Sequence, residues 1–170
     1  FRWGRSEVGR LLDDIRDSGN SVYYLQPIVV KRMQDDRWEL VDGQQRLTTL
    51  FLIFQFIRRN GYLPKAQARY SLEYQTRPRS GEYLLAPDAE GAAENIDFFH
   101  IFQAWECIRA WFEAQDDDLQ AAIDLHTALS RRVKVIWYEE AYSAGNHPFN
   151  QKWSPTTAEI VVGNEASGRR

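Results

Sequence analysis

Between Trp38 and Ile57 the spacing of apolar residues switches from strand-like to helical, and the residues at the switch are polar or glycine. Trp38-Glu39-Leu40-Val41 reads as a short strand, whereas Leu47, Leu50, Phe51, Phe54 and Ile57 recur at the spacing of one helix face. Asp42-Gly43-Gln44-Gln45-Arg46 is therefore a strand-to-helix turn, which places the chain among folds that mix sheet and helix. Asp42 is expected to cap the helix, Gly43 lets the backbone turn sharply, and the first-turn N–H groups face whatever sits in front of them. Two readings follow. In one, this is an ordinary helix start with Gln44, Gln45 and Arg46 on a solvated first turn. In the other the turn holds an anion, because a helix N-terminus favours negative charge and the guanidinium fork of Arg46 matches phosphate or carboxylate oxygens two at a time. On the second reading Arg46 faces ligand or solvent and adds little to stability.

Around this junction the pattern is clearest at the front of the chain. Ser6 is expected to cap a helix over about 7–17, with Val8, Leu11, Leu12 and Ile15 on one face and Gly19 ending it. Residues 21–31 and 37–41 are β-rich runs separated by Met33-Gln34-Asp35-Asp36, so a hairpin leads into the turn. The following helix should stop at Asn60-Gly61. Residues 70–74 read as a strand, 76–81 as a loop, and 88–95 as a small, acidic surface linker. Phe98, Phe99, Phe102, Trp105, Ile108, Trp111 and Phe112 then crowd a helix apolar around much of its circumference, which should be largely buried. Residues 133–138 read as a buried strand. The division expected is a core over 1–87, a helical half with a closing strand over 88–139, and a tail over 140–170 that is polar and Gly-rich at its end and open to disorder.

With 170 residues, 44% hydrophobic and 14% aromatic, the chain can bury a substantial core. A net charge of -3 argues against general adhesion to DNA, which a distinctly basic surface would provide. The single cysteine, Cys107, excludes a disulfide framework and reads as a buried small hydrophobe in a reducing compartment. No stretch approaches the roughly 20 apolar residues of a membrane-spanning helix, and the N-terminus lacks a signal-peptide layout, so a cytoplasmic location without membrane contact is expected. Asp116-Asp117-Asp118 is read as a helix cap rather than a metal site. His100, one turn after Asp97, is read as a helix-face histidine in preference to a general base; His126 and His147 have no partner at ligand spacing. No Walker-type loop occurs, so any nucleotide is handled without one.

Asp42-Gly43-Gln44-Gln45-Arg46, followed by Leu47-Thr48-Thr49-Leu50, resembles the signature of the DGQQR-motif domain at the N-terminus of GmrSD-type, modification-dependent restriction systems. The likeness extends to Phe1-Arg2-Trp3 with the helix after it, to Tyr74-Gln75-Thr76-Arg77, and to the helix start at 95–100; Gln26 and Pro27 stand where the family usually has glycine and a small residue. Because the chain begins inside the family's opening segment, it reads as a fragment. The resemblance implies an α+β fold: a small mixed β-sheet of ParB/sulfiredoxin-like type with flanking helices and a helical second half. It further implies a nucleoside triphosphate and magnesium at the turn, an NTPase activity, and control of a separate nuclease acting on modified DNA in phage defence. In that picture Asp42, Gln44, Gln45 and Arg46 are the catalytic candidates, with Asp42 the magnesium partner. Gly43, Arg46, Thr48, Thr49, Arg2 and Arg77 are the phosphate-binding candidates, and Trp3 closes the core. The alternative is a non-catalytic module that recognises modified DNA or a partner protein; a domain that nicks DNA itself ranks third, since no dense carboxylate-and-histidine set accompanies the motif.

Overall fold

The structure is a computed structural model that describes residues 2–140, 150–152 and 158–162. Six helices, α1 (Arg5–Asp17), α2 (Gln44–Arg59), α3 (Pro78–Leu85), α4 (Ala89–Ala92), α5 (Ile96–Glu113) and α6 (Asp118–Arg131), accompany six strands among these residues: β1 (Tyr23–Arg32), β2 (Trp38–Asp42), β3 (Tyr70–Tyr74), β4 (Val133–Glu139), β5 (Asn150–Lys152) and β6 (Ala158–Val162). The strands form one mixed sheet in the order β3-β6-β2-β1-β4-β5. The β1–β2 hairpin is antiparallel, with Val30 opposite Leu40; β4 runs parallel to β1, and β6 runs parallel to both β2 and β3.

The fold is α+β with a mixed sheet, as expected, but the sheet draws on more of the chain than the helical-half picture implied. β4 closes the second half by pairing with β1, and β6, within the 140–170 tail expected to be open to disorder, lies between β2 and β3. Its Ile160 and Val162 are buried, which gives that short run a reason to be strand. Residues 1, 141–149, 153–157 and 163–170, including Phe1 and His147, lie outside the described residues.

α1 begins two residues earlier than its serine suggested. Its N-cap is Gly4, whose N–H donates to the Glu7 carboxylate at 3.0 Å, while the Ser6 hydroxyl donates to the same oxygen at 2.9 Å. Glu7, three residues in, satisfies an amide that the helix cannot, and its own backbone N–H, followed by the Ser6 hydroxyl and the Gly4 N–H, holds its carboxyl below the usual range. The 76–81 loop is in fact the entry to α3, with Pro78 at its first turn, where a missing N–H costs nothing. The acidic linker likewise contains α4, capped by Asp88, which accepts from the Gly91 N–H at 2.6 Å.

One core unites the layers. Leu12 and Ile15 of α1, Ile53 and Ile57 of α2, Ile101, Ile108 and Phe112 of α5, and Ile28 of β1 all belong to a single buried cluster. The rings of Phe56, Phe112 and Tyr62 stack at 5.1 and 5.7 Å between centroids, tying α2 to α5 and to the loop after α2. α5 is buried along Phe98, Ile101, Ala104, Trp105, Ile108 and Phe112, yet Ile96 and Phe99 at its start are exposed. Cys107 is only part-buried, its thiol donating to the Arg5 carbonyl at 3.4 Å, and burial raises its pKa. Among the described residues no helix is long and apolar enough to cross a membrane.

Candidate functional site

β2 ends at Asp42 and α2 starts at Gln44, so the DGQQR segment is the strand-to-helix turn that its spacing required. Gly43 is the helix N-cap at φ 105°, a conformation open to glycine and little else. A Cβ on it would come within 2.4 Å of the Ile28 methyl on β1. The glycine thus serves the turn twice, through its backbone angle and through its missing side chain.

Asp42 does not cap the helix. Its Oδ1 accepts from the neighbouring Gly43 N–H at 2.8 Å, no side chain caps α2, and the carboxylate remains 72% exposed. The reason is geometric: with Gly43 in the left-handed region, the capping position falls on the glycine and Asp42 belongs to the strand. The start of α2 therefore presents first-turn amides without a side-chain acceptor beside an exposed carboxylate.

Gln45 and Arg46 face inward to protein partners. The Gln45 Oε1 accepts from the backbone N–H groups of Arg2 and Trp3 at 2.7 and 3.0 Å, pinning the N-terminal segment to the turn. Arg46 donates from Nη1 to the Gln26 side-chain carbonyl at 3.0 Å and from Nη2 to the Pro27 carbonyl at 2.6 Å, and its side chain is only 15% exposed. Its Nε is buried without a partner among the described residues, and Asp42 stands 3.9 Å from Nη2. Arg46 is thus held by protein partners where a solvated guanidinium was expected. The cause lies in β1, whose pairing with β4 slips between Leu25 and Ile28, where Pro27 lacks a ladder N–H. Arg46 bonds the backbone that this irregularity leaves unpaired.

Thr48 and Thr49 are both fully buried. Thr49 donates back to the Gln45 carbonyl at 2.9 Å, a helix-internal bond. The Thr48 hydroxyl lies 2.8 Å from that of Tyr74, to which Gln44 also hydrogen bonds. Tyr74 sits at the end of β3, level with Val162 of β6 and, across it, Leu40 of β2. The carboxyl ends of three parallel strands therefore converge beside the turn, the position where open sheets present their loops to ligands. Arg77, just beyond β3, is at this end of the sheet but paired with Asp97 of α5. Arg2 reaches the turn through its backbone, and Trp3 is part-buried against the core.

Tyr74 was missed as a site residue: the family likeness runs through Tyr74-Gln75-Thr76-Arg77, but a strand-end phenol signals no chemistry of its own; so were Gln26 and Pro27, although proline within a strand run signals the irregularity that Arg46 bridges. Burial pushes the Tyr74 phenol up to about 12. A folded pKa above the unfolded value of about 10 means that stability is intact below pH 10 and is lost as pH rises toward 12, at about 1.4 kcal/mol per pH unit for this group. Tyr70, fully buried and donating to the Leu47 carbonyl, adds a second such group. Tyr74→Phe is expected to cost about 1–3 kcal/mol at neutral pH, because Thr48 loses its partner, and to flatten the alkaline slope by about one proton. Urea titrations at pH 7, 10 and 11 check it; an unchanged slope would show that Tyr74 ionises as freely in the folded chain as in the unfolded one.

Arg77 pairs with Asp97 and Arg79 with Glu94, while Arg58 and Arg59 close the far end of α2, about 20 Å from Gln45 at helical rise. Of the acidic run, Asp117 caps α6 by accepting from the Gln120 N–H at 2.9 Å, and Asp118 accepts from the Tyr62 hydroxyl at 2.8 Å. His100 lies edge-on to Phe99 and His126 to Phe54, burial lowering the pKa of the latter. Two cavities, of about 610 and 330 Å3, contain no motif residue. The uncapped helix start and exposed carboxylate are what mark the turn.

A family model described as the N-terminal domain of the GmrSD restriction endonuclease matches residues 1–152. Neither a curated protein nor a solved structure matches the chain. The match spans the turn, both halves of the helical layer and all strands but β6, and the chain belongs to the GmrSD restriction endonuclease N-terminal domain family.

Proposed function

We propose that this domain serves a restriction system in defence against foreign DNA, and that its DGQQR turn binds the phosphates of a nucleoside triphosphate to control a separate nuclease. The observation that carries this reading is the start of α2, where amides without a side-chain cap adjoin the exposed Asp42 carboxylate. The donor set fits the ligand. First-turn amides and the Gln44 side chain suit phosphate oxygens, and a single exposed carboxylate suits a hydrated magnesium ion that takes its remaining ligands from phosphates and water. Bound there, magnesium would neutralise phosphate charge. Asp42 would hold the ion, Gln44 would orient a water for hydrolysis, and Arg46, fixed beneath the turn, would contribute charge without contacting the ligand.

Calorimetry with the four ribonucleoside triphosphates, with and without magnesium, tests the binding. Asp42→Asn should weaken the magnesium-dependent affinity at least about tenfold with little change in stability, since the carboxylate is exposed. Phosphate release measured on the same samples tests hydrolysis. Failure of the folded chain and of any longer protein containing it to bind a nucleotide would sink this reading. It would favour the non-catalytic module that recognises modified DNA or a partner protein.

A further inference from the structure

Thr48, one turn into α2, is fully buried and carries a hydroxyl that the core must satisfy. Its partner among the described residues is the Tyr74 hydroxyl at 2.8 Å, on a buried phenol at the end of β3. Gln44 precedes Thr48 by one helical turn, so the two side chains lie on the same face of α2. Tyr74 bonds both of them, and Gln44, half-buried, is the member of the three that reaches the surface. The neighbouring phenol behaves differently: the Tyr70 hydroxyl donates to the Leu47 backbone carbonyl, which the helix already fixes. A phenylalanine would fill the end of β3 as well as Tyr74 does. What the hydroxyl adds is therefore confined to the two side chains that it bonds.

A glutamine amide sits at the end of a flexible stem, and a group that must hold a reacting water gains from being ordered before the ligand arrives. We propose that Tyr74, itself held by Thr48, is a positioning residue that fixes the Gln44 amide at the DGQQR turn in the orientation that holds the water for hydrolysis. This rests on the nucleotide reading of the turn. The bond from Gln44 favours the phenolate, as a donor does, so the amide N–H points at Tyr74 and the Gln44 Oε1 is left to accept from water. In the step it serves, the water oxygen bonds the terminal phosphorus and the bond to the bridging oxygen breaks, its electron pair leaving with the nucleoside diphosphate. The water hydrogens depart with the released phosphate and into solvent. Gln44 holds that water and takes no proton from it, and Tyr74, buried behind Gln44, touches neither water nor phosphate.

The test is phosphate release and calorimetry on the 170-residue chain with the four ribonucleoside triphosphates and magnesium, at a temperature where circular dichroism shows every variant folded. Tyr74→Phe should lower kcat about tenfold or more, the scale of a misplaced reacting group, while the nucleotide Kd stays within about twofold of the parent. Thr48→Val should lower kcat in the same direction, and Thr48→Ser, which keeps the hydroxyl, should lose less. The deciding comparison is made in a Gln44→Ala background. There Tyr74→Phe should cause no further loss, because the group it positions is gone, whereas a phenol acting only through stability lowers turnover equally in both backgrounds. Another readout needs no nucleotide: the Gln44 side-chain amide resonances, identified by their absence in Gln44→Ala, should shift between the parent and Tyr74→Phe. Parental kcat in Tyr74→Phe, equal losses in the two backgrounds, unmoved amide resonances, or nucleotide binding without hydrolysis would each overturn the proposal while nucleotide binding at the turn stands. A parent chain that binds no nucleotide would instead remove that reading, and this one with it.

Discussion

Gly43→Ala is expected to lower the unfolding free energy by about 3–5 kcal/mol, combining the left-handed backbone penalty with overpacking against Ile28. Neither half can relax cheaply. The φ of 105° is imposed by the passage from β2 into α2, and the Ile28 side chain that a Cβ would strike at 2.4 Å is itself 1% exposed in the core. Because α2 is buried from Leu47 to Ile57, a shift of its first turn is felt along the whole helix. Guanidinium titration measures the effect, and a midpoint fall of roughly 10 °C or more accompanies it for a chain of this size. Combined with Ile28→Ala, the glycine change should cost less than the sum of the two singles, since the second substitution removes the clashing methyl. Strict additivity, or a loss below about 1 kcal/mol for Gly43→Ala alone, would show that the turn adjusts and that steric contact with Ile28 does not select glycine.

Arg46→Ala is expected to cost about 2–4 kcal/mol, the loss of two charge-assisted bonds and of the packing of a guanidinium whose Nε is buried. This reverses what an arginine in a phosphate-binding turn would do. With only 15% of the side chain exposed and both terminal nitrogens engaged by Gln26 and Pro27, its removal leaves the slipped segment of β1 without a donor. Arg46→Lys should recover little, because one ammonium cannot serve two acceptors in the geometry of a planar fork. Gln26→Ala, which removes one acceptor from an exposed position, should cost clearly less than Arg46→Ala. Thermal unfolding of the three variants tests the order. A midpoint within a few degrees of the parent for Arg46→Ala would mean that the guanidinium is free to leave β1, and would restore it as a ligand-binding group.

The two substitutions separate different kinds of structural constraint within five residues. Gly43 is dictated by backbone angle and close packing, Arg46 by the irregular strand beside it, and Gln45 by the N-terminal segment whose amides it accepts. Asp42 and Gln44 are what remain facing outward or toward Tyr74, which is why the proposed phosphate site rests on them. A functional assay of the motif residue by residue therefore needs a stability measurement beside it, since loss of ligand binding in an Arg46 or Gly43 variant would follow from unfolding as readily as from a lost contact.

Local chemistry alone determined the hairpin into the motif, the strand-to-helix turn, the stop at Asn60-Gly61 and the buried aromatic helix from residue 96. Each depends on periodicity or on a backbone requirement within a few residues, which a sequence carries directly. Only the tertiary structure decided which way the motif's side chains point. Arg46 turned inward because Pro27, 19 positions earlier, breaks a ladder with β4, more than a hundred residues later in the chain. Thr48 became core because Tyr74 ends a strand beside it. The stretch 158–162 became a strand of the sheet because β2 and β3 leave a place between them with unpaired backbone on both sides. Such long-range partners set burial and hydrogen bonding without leaving a local pattern, so the turn was legible from the sequence and the division of labour within it was not.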